Sequence, residues 1–507
     1  MTRKALAAMA ATLAATLTLG QTALAQGAAP TAKIASGALR GSADGAVVSF
    51  KGIPYAAAPV GANRWRSPQP VKAWTGVRDA TAYGNDCAQA PFPPDAAPIQ
   101  TSPREDCLYL NVWKPATAKP GAKLPVVVWI HGGGFVNGGS SPAVYSGHNF
   151  ARDGVVFVSI NYRLGRYGFF AHPGLAAEGL GGNFGFQDQI AALKWVKANI
   201  AQFGGDAGQV TVFGESAGGM SMLMLLQAPE AKGLFHRVIV ESGGGRATLA
   251  QPTMASAART GERFAPGLTA AQLRALPEDK VTGTLSMMSM GDRGYSGPML
   301  DGRTLLGVAV DAAAAGLMAR VPVIIGANSA DGFPMVTDKD KIFAAYGADA
   351  DAARKLYDAD GTTSGLQVGT MTSADVMFIE PARLMARTLS ARGEKAWIYR
   401  FGYPASEMGP AMGGAPHASE IPYAFDTLQL RKGPAPKPEE LEVAKQMHRY
   451  WVNFIKTGAP DGAGVPAWPL ATPTATTVQM LDAAGARHIE DPYTARLNFV
   501  ERRAEGK

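Results

Sequence analysis

Residues 214–218 read Gly-Glu-Ser-Ala-Gly, a pattern in which the hydroxyl of Ser216 can act as a nucleophile. The β-branched and aromatic run at 210–213 predicts a buried strand, and the apolar run at 220–226 predicts a buried helix. A strand that turns sharply into a helix exposes the serine at the tip, above a helix N-terminus that favours negative charge. In a chain with 60 glycines the pattern alone could arise by chance. We therefore looked for the other parts of an acyl-transfer site.

A second glycine-rich stretch supplies the parts of an oxyanion hole. Residues 124–130 form a nearly continuous apolar run, which predicts a strand covered on both faces, and His-Gly-Gly-Gly-Phe follows at 131–135. Backbone N–H groups in such a loop can stabilise the negative oxygen of an acyl-transfer intermediate. We expect these donors to be Gly133, Gly134 and Ala217. The alternative is a flexible glycine turn.

The general base must be chosen from seven histidines. The motif predicts the chain order serine, acid, histidine. Four histidines lie in the glycine loop or before any suitable acid: His131, His148, His172 and His236. His448 lies in a stretch with helical spacing, which favours a surface or packing role, and His488 has no glycine-rich loop to position it. His417 follows a predicted strand at 396–401 and a loop rich in Gly, Pro and Met, so we expect it to be the base.

The acid should follow a strand between the serine and this histidine. Residues 321–326 predict such a strand, and Asp331 lies in the loop after it. We therefore expect Asp331 to orient His417 and to stabilise its imidazolium form. The alternatives are that Asp331 is a solvated loop residue, or that Glu420 is the acid. Glu420 is only three positions after His417, too local to reach the far ring nitrogen.

Further motifs extend over most of the chain: Phe-Lys-Gly-Ile-Pro-Tyr at 50–55, Ser-Pro-Arg-Glu-Asp-Cys-Leu-Tyr-Leu-Asn-Val-Trp at 102–113, Asn-Tyr-Arg-Leu-Gly at 161–165, and Phe-Gly-Gly-Asp at 203–206. Together with the serine and glycine motifs, they resemble the type B carboxylesterases, the cholinesterase-like branch of the α/β-hydrolases. The resemblance implies an α/β fold with a large, mostly parallel β-sheet flanked by helices, and insertions over the active site. It also implies hydrolysis of small-molecule esters without a cofactor.

The resemblance assigns the site residues one by one. Ser216 corresponds to the nucleophile, His417 to the base and Asp331 to the acid, where the family most often has a glutamate. Glu215 lies beside the nucleophile, and Ser242 matches a serine that hydrogen-bonds near the acid and histidine. An aspartate serves as the acid in other serine hydrolases.

One neighbouring position departs from the family. Glu241 stands where glutamine is common. An unpaired buried glutamate would be costly, so we expect Glu241 to have a partner such as Arg246 or to contact solvent.

Residues 1–25 resemble a secretory signal: Arg3 and Lys4 are basic, 5–19 are apolar, and the small residues at 23–25 offer a cleavage site. An uncleaved anchor is the alternative, but the apolar stretch is shorter than the ~20 residues that span a bilayer, and no later segment could span one. We expect residues 26–507 to form a single domain, secreted or periplasmic. Loss of Arg3 and Lys4 lowers the formal charge from +7 to +5. This modest charge is not clustered, so we expect no nucleic-acid partner.

Export would place both cysteines in an oxidising compartment, which suggests a disulfide between Cys87 and Cys107. The resemblance implies a bridge at the same place. It also implies an ion pair between Arg64 and Glu105, with a structural role. No group of residues has metal-ligand spacing, so we expect no metal.

Substrate choice is less clear from the sequence. The Met-rich run at 285–290, with Met299 and Met335, could form a broad apolar pocket or simply fill the core. The same residues could also serve an amidase, a lactonase or an esterase specialised for toxins or polymers. A non-catalytic binding module is a further alternative, since fold alone does not imply activity.

Overall fold

The computed structural model describes residues 29–246, 251–291, 294–404 and 409–506. The expected secretory signal at 1–25 lies outside the described residues. The strands are β1 (Thr31–Ile34), β2 (Gly37–Arg40), β3 (Ser42–Asp44), β4 (Val47–Pro54), β5 (Val77–Asp79), β6 (Tyr109–Pro115), β7 (Leu124–Ile130), β8 (Val156–Ile160), β9 (Phe169–Phe170), β10 (Gly182–Asn183), β11 (Gly205–Glu215), β12 (Arg237–Glu241), β13 (Val323–Asn328), β14 (Ala396–Phe401), β15 (Thr477–Asp482) and β16 (Gly485–Glu490).

The α-helices lie between these strands along the chain, except for α17, which follows β16. They are α1 (His148–Arg152), α2 (Gly165–Gly168), α3 (Pro173–Ala176), α4 (Phe184–Asn199), α5 (Ala217–Gln227), α6 (Met254–Phe264), α7 (Ala270–Arg274), α8 (Glu278–Thr282), α9 (Ala309–Ala314), α10 (Lys339–Ala344), α11 (Ala350–Tyr357), α12 (Gly365–Ala374), α13 (Glu380–Ala391), α14 (Gly409–Met412), α15 (Ile421–Ala424), α16 (Pro438–Thr457) and α17 (Thr494–Ala504).

The main sheet has eleven strands in the order β16-β15-β14-β13-β12-β11-β7-β8-β6-β4-β3. Neighbouring strands from β8 through β7 and β11 to β15 run parallel. The pairs at the two edges are antiparallel. The expected large, mostly parallel sheet is therefore confirmed. Because the carboxyl ends of parallel strands meet at one edge, loops after β7, β11 and β13 converge there.

Both faces of the sheet are covered, as the apolar run of β7 predicts. Successive side chains of a strand point to opposite faces. In β7, Val126 and Val128 join one buried cluster, while Val127 and Trp129 join another. The first cluster includes apolar residues of α4, α5 and α13, and the second includes those of α1, α15 and α16. Helices thus pack on each face and hold the central strands in register.

Among the described residues, no helix is both long enough and apolar enough to cross a membrane.

Candidate active site

Ser216 occupies the sharp turn between β11 and α5. Its backbone has φ 56° and ψ −121°, a positive-φ conformation that is strained for a residue with a side chain. Glycines leave room for the close backbone approach: a Cβ on Gly218 would lie 2.0 Å from Ile130 O, and one on Gly214 would lie 2.6 Å from Gly218. The strand, turn and helix expected around the serine are all present.

The three residues expected to form a catalytic triad lie together. His417 Nε2 is 2.9 Å from Ser216 Oγ, and His417 Nδ1 is 2.6 Å from Asp331 Oδ1. In a neutral imidazole one nitrogen donates and the other accepts. When Nδ1–H donates to the Asp331 carboxylate, Nε2 is left as the acceptor that faces the serine hydroxyl. The arrangement can therefore move a proton from Ser216 to His417.

Two adjacent parallel strands, β13 and β14, bring the acid and the histidine together. The loops that follow them pair directly: Ala330 N donates to Ala415 O at 2.9 Å, and Ala415 N donates to Ser329 Oγ at 2.8 Å. This pairing fixes Asp331 and His417 relative to each other, although they are 86 residues apart in the chain.

The second oxygen of Asp331 is also occupied. Ser242 Oγ donates to Asp331 Oδ2 at 2.6 Å, and Asn328 N donates to the same atom at 2.9 Å. The rival acid, Glu420, instead accepts a hydrogen bond from Asn328 Nδ2. The geometry therefore favours Asp331 over Glu420 as the partner of His417. The hydrogen bond expected of Ser242 is present.

Aromatic rings position the imidazole of His417. The Phe378 ring stacks on it with centroids 5.0 Å apart, and Phe333 meets it edge to face at 4.8 Å. Only 14% of the His417 side chain is exposed. Such packing restricts the imidazole to the orientation that reaches both Ser216 and Asp331. Neither phenylalanine was identified from the sequence.

The two other candidate bases have different surroundings. His448 is buried in α16, where it packs against Phe150 and forms a 2.7 Å hydrogen bond between Nδ1 and Ala424 O. His488 lies on β16, at the edge of the sheet. In the sheet order, β16 is five strands away from β11, which carries the serine. The packing role expected of His448 is therefore observed.

The glycine loop lies against the nucleophile. It leaves the end of β7, next to β11 in the sheet, and a Cβ on Gly132 would lie 3.0 Å from Ser216 Cβ. Gly133 and Gly134 have φ 97° and 62°, which glycine adopts readily. Ala217 is the first residue of α5. Gly133 and Gly134 therefore lie in the loop that begins beside Ser216, and Ala217 follows Ser216 directly in the chain.

Two buried carboxylates face the imidazole. Besides Asp331, Glu215 places Oε1 3.2 Å from His417 Nε2. Burial disfavours the imidazolium, but the carboxylates of Glu215 and Asp331 outweigh it and raise the pKa of His417 to about 9. Burial also raises the pKa of Glu215 well above its ordinary value, and the positive charge of the His417 imidazolium opposes this rise and favours the carboxylate. The site is thus built to stabilise positive charge on His417.

Glu241 has a partner, as expected, but the partner is neither Arg246 nor solvent. Arg246 forms a bidentate ion pair with Glu380, at 2.8 and 2.7 Å, and Glu241 is fully buried from solvent. Glu241 Oε1 instead accepts a 2.9 Å hydrogen bond from Trp451 Nε1. Burial raises the pKa of Glu241 well above its ordinary value, which favours the neutral acid and lowers the cost of burying it.

The structure also contains the disulfide and the ion pair that the resemblance implies. Cys87 and Cys107 are joined, and Arg64 Nε donates to Glu105 Oε2 at 2.8 Å. Arg64 also donates to backbone oxygens at the C-terminal end of α7, including Arg274 O at 3.1 Å. These contacts tie the segment before β6 to the insertion that carries α6 to α8, which supports a structural role.

The methionines singled out in the sequence do not act as one group. A Cβ on Gly134 would lie 2.4 Å from Met287 Sδ and 3.0 Å from Met290 Sδ, so both sulfurs cover the oxyanion loop. Met299 is fully buried in a small core cluster, and Met335 is 91% exposed. The pocket interpretation therefore applies to Met287 and Met290 but not to Met299, Met335 or the exposed Met288.

Asn137 is a functional candidate that the sequence interpretation missed. Its Oδ1 accepts from Met287 N at 2.8 Å, and its Nδ2 donates to Ala90 O at 2.8 Å. Its backbone N donates to Gly133 O at 2.9 Å. One buried amide thus joins the oxyanion loop to two other loops. The sequence signal for this role was a polar residue directly after the apolar pair at 135–136.

Comparisons with known proteins agree with this architecture. A sequence model of the Carboxylesterase family matches residues 28–367 and 351–500. The para-nitrobenzyl esterase of Bacillus subtilis (strain 168) is 37% identical over 462 residues, which cover 85% of this chain and 91% of that protein. The fumonisin B1 esterase of Sphingopyxis macrogoltabida is 35% identical over 463 residues, 86% of this chain and 83% of that protein.

Solved structures give the same result. A PNB esterase structure superposes with a TM-score of 0.80 at 32% identity, over 93% of this chain and 99% of that one. The carboxylesterase Est55 of Geobacillus stearothermophilus gives 0.77 at 34% identity with the same coverage. The fold is therefore that of the α/β-hydrolases. The chain belongs to the carboxylesterase family and is a carboxylic ester hydrolase.

Proposed function

We propose that this chain hydrolyses small-molecule carboxylic esters through an acyl-enzyme, with Ser216 as nucleophile, His417 as general base and Asp331 as the orienting acid. The hydrogen-bonded series Ser216 Oγ, His417 Nε2, His417 Nδ1 and Asp331 Oδ1, at 2.9 and 2.6 Å, is the observation that carries this proposal. It joins three residue types that recur together in serine hydrolases on unrelated folds.

In the first half of the reaction, Ser216 Oγ attacks the carbonyl carbon of the ester while His417 Nε2 takes the hydroxyl proton. The carbonyl oxygen becomes an oxyanion, and the N–H groups of Gly133, Gly134 and Ala217 donate to it. Removal of one such donor costs on the order of 3 to 4 kcal/mol in other enzymes. When the carbonyl re-forms, the bond to the alcohol oxygen breaks and the His417 imidazolium protonates that oxygen.

The second half repeats the same steps with water. His417 takes a proton from the water as its oxygen attacks the acyl carbon. The bond to Ser216 Oγ then breaks, His417 returns the proton to it, and the carboxylic acid leaves. Asp331 keeps Nδ1–H in place throughout, and Glu215 adds a second negative group near the imidazolium. The chemistry proposed here uses side chains and backbone only.

A panel of aryl and alkyl esters, with Ser216→Ala as the control, tests this function. We expect the wild type to cleave several of them, to be labelled by a fluorophosphonate, and to lose both properties in Ser216→Ala. A wild type that hydrolyses no ester and is not labelled would contradict the proposal and favour a binding module.

We also propose that residues 1–25 are a cleaved secretory signal and that residues 26–507 form one domain, exported to the periplasm or beyond. The disulfide between Cys87 and Cys107 is compatible with an oxidising compartment. The first and last strands of the main sheet come from opposite ends of the chain, which supports a single domain. Mass spectrometry of the exported protein should give a first residue near Gln26. An exported protein that begins at Met1 would rule out cleavage.

A further inference from the structure

A cavity of about 390 Å³ adjoins the candidate active site. Its lining includes Gly134 of the oxyanion loop, Gly243, which follows Ser242, and Met220, four residues after Ser216 in α5. The volume lies within the range of small-molecule sites. A group attached to the carbon that Ser216 attacks can therefore extend into this space.

The position of the cavity indicates which half of the ester it receives. The leaving alcohol oxygen must lie near His417 Nε2, because His417 protonates it. Among the described residues, neither of the rings that flank His417, Phe333 and Phe378, lines the cavity, whereas Gly134 does. The cavity thus lies on the side of the oxyanion loop and receives the acyl group.

Most of the wall is apolar. Phe135, Phe186, Leu223 and Leu305 contribute to it, together with the side chains of Met220 and Met290. Transfer of hydrocarbon from water to such a surface is favourable, and more so for each further CH₂ that is buried. The greater part of the acyl group should therefore be a hydrocarbon chain.

Polar side chains interrupt this apolar wall. Three of them already have partners: Gln227 accepts from Leu306 N, Arg246 pairs with Glu380, and Ser296 donates to Gly297 O. Tyr295 and Gln251 both line the cavity, and within the described ranges neither Tyr295 Oη nor Gln251 Oε1 has a hydrogen-bond partner, although both atoms are buried. Tyr295 as a whole is only 9% exposed. A buried polar atom without a partner is unfavourable, so both atoms favour a bound molecule that satisfies them. The hydroxyl of Tyr295 can donate, and the amide oxygen of Gln251 can accept.

We propose that this cavity binds an acyl chain that carries a hydroxyl group beyond the ester carbonyl. Tyr295 Oη donates to the substrate hydroxyl, and the substrate hydroxyl donates to Gln251 Oε1. A hydroxyl suits both atoms because it is a donor and an acceptor at once. A hydrocarbon chain of equal length displaces water from both atoms and leaves them unpaired. The inference rests on the proposed function, since it takes Ser216 as the atom that receives the acyl group.

Matched pairs of p-nitrophenyl esters test this specificity: ω-hydroxyhexanoate against heptanoate, and ω-hydroxyoctanoate against nonanoate. Each pair exchanges one hydroxyl for a methyl group. We expect kcat/KM to favour at least one hydroxyacyl ester by about tenfold or more, because a site built around hydrogen bonds rejects an analogue that lacks them. The preference should fall to near unity in Tyr295→Phe and in Gln251→Met.

Tyr83→Phe is the matched control, because the Tyr83 ring packs near Trp113 outside the cavity. It should keep both the rate and the preference, and fluorophosphonate labelling of every variant reports whether Ser216 is intact. The inference is wrong if the wild type cleaves the hydrocarbon ester of both pairs at least as well, or if Tyr295→Phe and Gln251→Met keep the wild-type preference. A wild type that also fails on p-nitrophenyl acetate would contradict the proposed function itself.

Discussion

Glu215 Oε1 lies 3.2 Å from His417 Nε2, the ring nitrogen that also contacts Ser216 Oγ at 2.9 Å. Glu215 precedes the nucleophile in the chain, and its side chain is 3% exposed. Its carboxylate therefore acts on the imidazole at Nε2, whereas Asp331 binds the other ring nitrogen, Nδ1. A positive charge on His417 is stabilised at both nitrogens.

The pH dependence of the reaction should report this contact. Burial lowers the pKa of His417, but the neighbouring carboxylates outweigh burial and raise this pKa to about 9. Because the neutral form of His417 is the base, kcat/KM should rise with pH through this pKa. Glu215→Gln removes one carboxylate and thus lowers this pKa. We expect the midpoint of the rise to move to lower pH by ~1 unit. Glu442→Gln, at an exposed site in α16, should leave it in place. An unmoved midpoint in Glu215→Gln would contradict the prediction.

Asp331 and Glu420 can be separated by paired amide substitutions. Asp331→Asn should hold His417 in the wrong tautomer and lower kcat by roughly 10⁴-fold, as in other serine hydrolases. Glu420→Gln should lower kcat by less than about tenfold, because Glu420 accepts a hydrogen bond from Asn328 and affects the site through that residue. Both variants should still react with a fluorophosphonate, though Asp331→Asn far more slowly. A near-normal rate for Asp331→Asn would assign the acid elsewhere.

The sequence predicted the sharp turn at Ser216 and the glycine loop after β7 because each lies in a short run with its own local geometry. Ser216 needs glycines beside it, and Gly133 and Gly134 follow a buried strand. His417 and Asp331 could be inferred from the order of strands, since loops after parallel strands meet at one edge of the sheet.

The partners of buried side chains could not be predicted in the same way. Glu241 pairs with Trp451, 210 residues away, and Arg246 pairs with Glu380, 134 residues away. Such pairs depend on which helix covers which face of the sheet, and local sequence carries no signal for that. Arg246 is only five residues after Glu241, yet it pairs with Glu380 at the start of α13.

Asn137 should position the oxyanion loop. Asn137→Ala removes the hydrogen bonds to Met287 N and Ala90 O, so we expect the loop to lose its fixed geometry. We predict a fall in kcat of about tenfold or more with little change in KM, because the oxyanion donors act mainly in the transition state. Asn149→Ala is the matched control: Asn149 is also buried, and it donates to backbone oxygens on the other face of the sheet. If both variants lose kcat equally, the effect is general destabilisation.

The disulfide should support the same loop from a greater distance. Gln89, two residues after Cys87, donates from Nε2 to Cys87 O and to Gly138 O, and its Oε1 accepts from Gly138 N. The double variant Cys87→Ser, Cys107→Ser should lower the free energy of unfolding by ~3 kcal/mol, measured by urea denaturation, since the bridge closes a loop of about 20 residues. It should also lower kcat, because the segment that holds Gly138 is no longer anchored. Gln89→Ala should lower kcat with the bridge intact. A Gln89→Ala enzyme with full activity would show that the disulfide acts on stability alone.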